Sequence, residues 1–458
     1  MSAILSVRQV REKNNAAIAG WHRTVSNGTE EFAFWLFIAT IVLFAFLHGS
    51  VGDPARSLLA ALLCSFSLLR GLASLLSGSF RVSDPALILP LAGIVGLAIV
   101  QILPLPFVSG LASEDPFETK SFIIFFSSLV LAGESLRHLT NTSRRLRVLI
   151  GAIIAIGVGS AIYGITRSIF VVPSEQYAQF ANRNHYAVLA EMATGLLLGL
   201  LLKQRLSKAQ WLAVSLLGAV IIHSLLTAGS RGGLISLIAM LLFSVIMYAF
   251  FSKRDHQSRF AGRRSDLDGL PLKTRIIGVA CVCVLIVIVS TAAIAFVGGN
   301  QTVTRFEQVR DEIESQSDIR LNRGTIWNIT IELIKDRPIT GAGFGAYASA
   351  ITPFDRSNGT WPLEQAHSEY LELLANGGVV GLIFFGTFFI LAARRAFRGL
   401  GSEDPLLRSA CFGAMVGVFG VLVHSLVDFG LHVPLNALVF VVLLVIATND
   451  PRREVLGN

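Results

Sequence analysis

Two arginine groups and one histidine stand out by type and spacing. Arg231 sits in Ser230-Arg231-Gly232-Gly233, squeezed between two apolar runs. A guanidinium at a membrane boundary offers a planar fork of charge-assisted hydrogen bonds that matches phosphate or diphosphate. Flanking glycines let backbone come close to a ligand. The same four residues also suit a tight turn with a snorkelling arginine. Arg320 and Arg323 lie three apart ahead of Trp327, so a helix would bring them to one side. They could clamp an anionic leaving group, or pair with the carboxylates of an acid-rich segment. His367 stands in Gln365-Ala366-His367-Ser368-Glu369-Tyr370-Leu371-Glu372. On a helix it would share a face with Tyr370, Leu371 and Leu374. Imidazole titrates near neutrality and could remove a proton from a hydroxyl; a structural histidine is the competing reading.

Two further polar clusters fall at expected helix ends. Asn182-Arg183-Asn184-His185 would open one helix, and His424-Ser425-Leu426-Val427-Asp428 would close another, with His432 soon after. Ionisable groups at membrane depth are costly and so are functional hypotheses by default. Capping by Asn and Asp accounts for them equally well. Other patterns carry less. Asp266-Leu267-Asp268 has the spacing of a metal–nucleotide motif but lies in a basic loop with no strand around it. Gly341, Gly343 and Gly345 lack the preceding strand of a dinucleotide fold and read as a turn. Cys64, Cys281, Cys283 and Cys411 lie in apolar stretches and suggest neither a disulfide framework nor a metal site. No metal and no cofactor is expected.

The elements that must hold these residues follow from composition. Of 458 residues 53% are apolar and only 15% charged, with mean hydropathy +0.64; a soluble domain carries roughly 25% charge. Too little polar surface is available to wrap a water-soluble particle. The expected fold is an all-α polytopic membrane protein. A crossing helix needs about 20 apolar residues. Twelve such runs are found, from Phe32–His48 to Val433–Thr448, the ninth being Ile276–Val297. The net charge of +8 would suggest nucleic acid in a soluble protein; here it follows loop asymmetry, and no nucleic-acid partner is expected. With both termini inside, cytoplasmic segments hold 25 of the 38 basic residues and the short outer loops hold five. The only charges well inside the apolar runs, Arg70 and Glu191, have no evident partner in the sequence.

The organisation expected is a cytoplasmic segment 1–31, nine membrane helices over 32–297, a large outer loop 298–376, three more helices over 377–448 and a cytoplasmic tail 449–458. The basic segment Ser252–Arg275 reads as an inner loop near anionic lipid headgroups. The outer loop does not read as disordered. Phe306, Val309 and Ile313 recur at helical spacing, as do Ile326, Ile329, Leu333 and Ile334 in a helix from about Arg323 to before Pro338. An amphipathic stretch, Ala366–Ala375, follows. A small helical cap between spans 9 and 10 is the expected place for chemistry.

As an ordered set, these signatures resemble the O-antigen ligase and polymerase superfamily of bacterial inner-membrane glycan transferases. The pieces are Asn182–His185, Ser230–Gly233, Arg323-Gly-Thr-Ile-Trp327, Pro338-Ile-Thr-Gly341-Ala-Gly343-Phe-Gly345, Ala366–Leu371, Gly377-Gly378-Val-Val-Gly381 and His424–His432. They span about residues 180–435; the first third of the chain matches only in being apolar helices. The resemblance implies a metal-independent transferase at the periplasmic face. Its donor would be a glycan on undecaprenyl diphosphate, and its acceptor a sugar hydroxyl or lipid A–core. It maps diphosphate binding onto Arg231 and Arg323 and acceptor activation onto His367. Arg320, Arg183, Asn184, Tyr370 and Asp428 are the further candidate substrate-binding residues. Ser368 stands where relatives often have Asn, so no role is carried to it. The partners implied are the lipid-linked donor, the acceptor, membrane lipids and chain-length or export proteins. A protein O-oligosaccharyltransferase would use the same machinery. A secondary transporter is the rival from another class, although no inverted repeat supports it.

Overall fold

The computed structural model describes residues 2–47, 53–79, 82–103, 111–140, 142–170, 176–203, 206–258, 323–355 and 363–449. Among the described residues eight helices precede the cap: α1 (Ser2–Phe46), α2 (Asp53–Ser77), α3 (Pro85–Ile102), α4 (Pro116–Leu139), α5 (Ser143–Phe170), α6 (Arg183–Lys203), α7 (Lys208–Ala228) and α8 (Arg231–Ser258). The cap contributes α9 (Arg323–Asp336) and α10 (Tyr347–Ile351). Then come α11 (Glu369–Gly399), α12 (Pro405–His424) and α13 (Pro434–Ala447). The only extended pairing among the described residues is one isolated bridge between Tyr177 and Phe180. The chain is an all-α multi-pass membrane protein.

Ten helical segments among the described residues are long and apolar enough to cross a membrane. A further apolar helix, α13, has only 14 residues, short of the length a full crossing needs. The run Ile276–Val297 lies outside the described residues, as do Arg320, the stretch Phe306–Ile313, Asp266–Asp268 and the tail beyond Asn449. The described residues therefore account for ten of the twelve expected spans and one short helix. The first span also begins earlier than its apolar run suggests, at Thr24 rather than Phe32. Glu30 lies 3.8 Å from Arg70, and Arg145 lies 3.0 Å from Glu31. Acids that look extramembranous in sequence are thus matched by arginines of α2 and α5, and Arg70 gains the partner that sequence spacing could not reveal.

The centre of the bundle is α6 packed on α12. Close approach is what their glycines permit: a Cβ on Gly195 would lie 2.5 Å from the Gly417 nitrogen, and one on Gly413 2.7 Å from the Gly195 carbonyl oxygen. Without a hydrophobic force between helices in lipid, such small-residue contact is the main source of helix association. It brings the first residues of α6 beside the last residues of α12.

The cap has its own apolar cluster of Ile329, Leu333, Tyr347, Ile351, Ala366 and Ala375, with a 2.7 Å hydrogen bond between Thr330 and the Tyr347 hydroxyl. The glycine run is a structural lock. Gly341, Gly343 and Gly345 all have positive φ. The Ala342 and Gly343 amides donate to Ala375 and Asn376, and Gln101 of α3 donates to Thr340 and Asn376 at 2.7 and 3.1 Å. Phe344 stacks on Phe122 at 4.7 Å. Opposite it α11 breaks at Gly378 (φ 59°, ψ −163°), where Val379 donates to Pro338 rather than to its own helix. This break separates the amphipathic first part of α11, which belongs to the cap, from its membrane part.

Candidate functional site

The site forms where α6 and α8 begin and α12 ends. Asn182 accepts the Asn184 backbone amide at 2.8 Å, a cap that closes the turn into α6. The Asn184 side chain is thereby turned inward, where its amide donates to Asp428. Its carbonyl oxygen accepts the Ser230 hydroxyl at 2.8 Å. Ser230 in turn accepts the Gly233 amide at 3.1 Å, starting α8. On the other side Arg323, the first residue of α9, donates to Asp428 at 3.2 Å, and the Phe429 amide donates to the second oxygen of Asp428 at 2.8 Å. One chain of hydrogen bonds thus joins four segments, and Asp428 is its hub at 1% exposure. A carboxylate so buried requires a cation and several donors, and it has them.

Arg231 follows Ser230 directly and is exposed at this end of the bundle. The Asn184–Ser230 bond fixes the turn from which it projects. Arg183 opens α6 and is half-buried. Arg323 keeps over a third of its side chain accessible while tied to Asp428. It can therefore meet an incoming anion without losing its anchor.

His367 is not on a helix. It occupies a turn with φ 50°, two residues before α11, so the helical face expected with Tyr370, Leu371 and Leu374 does not include it. Left-handed backbone is uncommon for residues other than glycine. Here it directs the imidazole toward Phe429, 5.0 Å away edge-on. His185 meets the same ring at 4.9 Å and His432 at 5.8 Å. Phe429, which sequence reasoning missed, is therefore the apolar wall shared by three imidazoles. His367 Nδ1 has no hydrogen-bond partner among the described residues. Burial pushes the His367 imidazole below its ordinary range and nearby Arg323 adds to this, against an opposing pull from Asp428. A neutral imidazole with a bare nitrogen is a competent proton acceptor.

Tyr370 is engaged elsewhere: its hydroxyl donates to the Leu422 carbonyl at 2.9 Å, tying the cap to α12. Glu369 accepts the Leu431 amide at 2.9 Å, and His432 lies 3.5 and 3.4 Å from Glu369 and Glu372. Burial works against protonated His432, but the Glu372 and Glu369 carboxylates outweigh it and push its pKa up to about 9. These contacts clamp the loop after α12 onto the start of α11, and so hold Phe429 and His367 in register. Glu191, the other charge unmatched in sequence, pairs with His424. Its lone position in an apolar span is the one signal that could have pointed there.

Helices of this length, with a polar site at one end of the bundle, define a multi-pass membrane protein. Residues 216–386 match the family described as O-antigen ligase (Wzy_C), which supports a place in the O-antigen ligase/polymerase superfamily. No curated protein matches the chain. The matched segment contains Arg231, Arg323 and His367. Asn184 and Asp428 lie outside it on either side, joined to it through Ser230 and Arg323.

Proposed function

We propose that the chain transfers or polymerises a glycan carried on undecaprenyl diphosphate, at the periplasmic face of the bacterial inner membrane, onto a sugar hydroxyl. The observation that carries the reading is the Asn184–Asp428–Arg323 chain of hydrogen bonds, which fixes one guanidinium and the turn bearing a second beside an unpaired, neutral-leaning imidazole. In the reaction the acceptor hydroxyl oxygen bonds to the anomeric carbon, and the bond from that carbon to the diphosphate oxygen breaks with its electron pair leaving on the diphosphate. Arg323 and Arg231 stabilise the charge that develops there, a contribution on the order of 10²–10³ in rate for a well-placed donor. His367 takes the hydroxyl proton. Two guanidinium groups supply this stabilisation without a divalent ion. Tyr370 acts by holding the cap, not by touching substrate.

The acceptor distinguishes three outcomes of one experiment, a gel profile of surface glycans from a deletion strain carrying wild type, His367→Ala or Arg231→Ala at equal membrane levels. Loss of polymer with single repeat units still on their acceptor identifies a polymerase. Long chains retained on the lipid carrier with bare acceptor identify a ligase, and the same retention with an unglycosylated protein identifies an O-oligosaccharyltransferase. An unchanged profile in both variants contradicts the assignment.

A further inference from the structure

A second buried polar pair, unused by the chemistry above, lies beside the Asp428 site. His424, the last residue of α12, is 1% exposed, and Glu191 of α6 is 0% exposed. His424 Nδ1 sits 2.7 Å from Glu191 Oε1. The other ring nitrogen, Nε2, has no hydrogen-bond partner among the described residues. It faces the first turn of α8: a Cβ on Gly232 would come within 2.8 Å of Nε2 and 3.2 Å of Val427 Cγ2. With glycine at 232 the buried nitrogen meets backbone rather than a side chain at the start of α8.

Charge decides what Nε2 presents. With a single proton, on Nδ1, the pair carries one net negative charge and Nε2 is a bare acceptor. With a second proton the pair is net neutral, and Nε2 bears N–H whether the form is imidazolium–carboxylate or imidazole–carboxylic acid. Burying a net charge costs far more than burying a neutral pair, so the second form is the one the site holds. The charged and titratable groups facing His424 are Glu191 and His185 on α6, Asp428 in the loop after α12 and Arg323 on α9. An N–H is thus aimed at the start of a 28-residue helix, where Ser230 already takes the Gly233 and Leu234 amides and the positive end of the helix favours an anion. An unpartnered N–H at the positive end of a helix calls for an anionic oxygen.

We infer that His424 Nε2–H and the first turn of α8 bind a diphosphate oxygen of the lipid-linked donor beneath Arg231, with Glu191 keeping the imidazole in its donor form. The inference rests on the reading of Arg231 and Arg323 as diphosphate residues and extends it to a buried subsite. The test is titration of the full chain, in phosphatidylcholine nanodiscs, with farnesyl diphosphate. His424→Leu weakens binding about tenfold or more, the loss of one hydrogen bond to a charged group. His424→Gln keeps a donor near Nε2 and stays within about threefold of wild type. Gly232→Ala, which covers Nε2, weakens binding as His424→Leu does. Wild-type affinity in His424→Leu, or equal losses in the Leu and Gln variants, overturns the subsite. If the arginine variants bind normally while His424→Leu does not, the arginine reading fails and the subsite stands. If phosphatidylglycerol competes in wild type but not in His424→Leu, the ligand is a lipid headgroup and the diphosphate assignment is overturned.

Discussion

His367 illustrates how much of the site depends on single side chains. Its residue type was legible as a proton acceptor, but its placement was not, because a left-handed turn at φ 50° leaves no periodic mark in sequence. The turn puts the imidazole against Phe429, where burial and Arg323 favour the neutral form. A base must be unprotonated to act, and a lowered pKa keeps it so to lower pH. The acid limb of the transfer rate should therefore fall below the ordinary histidine value of 6.5. Asp428 pulls the other way, so Asp428→Asn should move the limb of the residual activity further down. A limb at or above 6.5 in wild type, or an upward shift in Asp428→Asn, contradicts this. His367→Ala should cost on the order of 10²-fold or more, as expected for loss of a general base.

At the scale of elements, the helices of the cap position the site through their interruptions. The helix beginning at Arg323 and ending before Pro338 was legible from its apolar spacing and terminal proline. The join between cap and bundle was only partly so: the Gly341–Gly345 run reads as a turn, but its docking on Gln101 and Asn376 is a contact between distant segments. Gly378 is the sharpest case. Its φ of 59° and ψ of −163° lie in a region open essentially to glycine alone, costing other residues of order 1–3 kcal/mol, and a Cβ would collide with the Ile339 carbonyl. Gly378→Ala should lower the thermal midpoint in detergent and reduce transfer by shifting the start of α11, which carries Glu369 and abuts His367. Unchanged melting and activity would show that the break does not position the site. Gly386→Ala, where a Cβ meets nothing within 4 Å, is the matched control.

Across the whole molecule, composition and loop charge made the fold class and most of the spans legible, since both follow from solvation by lipid. The partnerships did not show in sequence. Arg70 with Glu30, Glu191 with His424 and Asn184 with Asp428 are pairs between distant segments, set by which helices pack together. The loop-charge bias leads us to expect both termini in the cytoplasm and the cap outside. In a cysteine-free background, Glu364→Cys in the cap should react with a membrane-impermeant maleimide in cells with a permeabilised outer membrane. Glu403→Cys, between α11 and α12, should react only after lysis; the reverse pattern inverts the orientation. The central claim is that Arg323 and Arg231 serve a diphosphate leaving group. The most direct measurement is release of undecaprenyl diphosphate by the purified protein in nanodiscs, given a lipid-linked repeat unit and a sugar acceptor. The account predicts one diphosphate lipid released per glycosidic bond formed, with release reduced about 10²-fold or more in Arg323→Ala. Release at the wild-type rate in Arg323→Ala, or bond formation without diphosphate release, would contradict it.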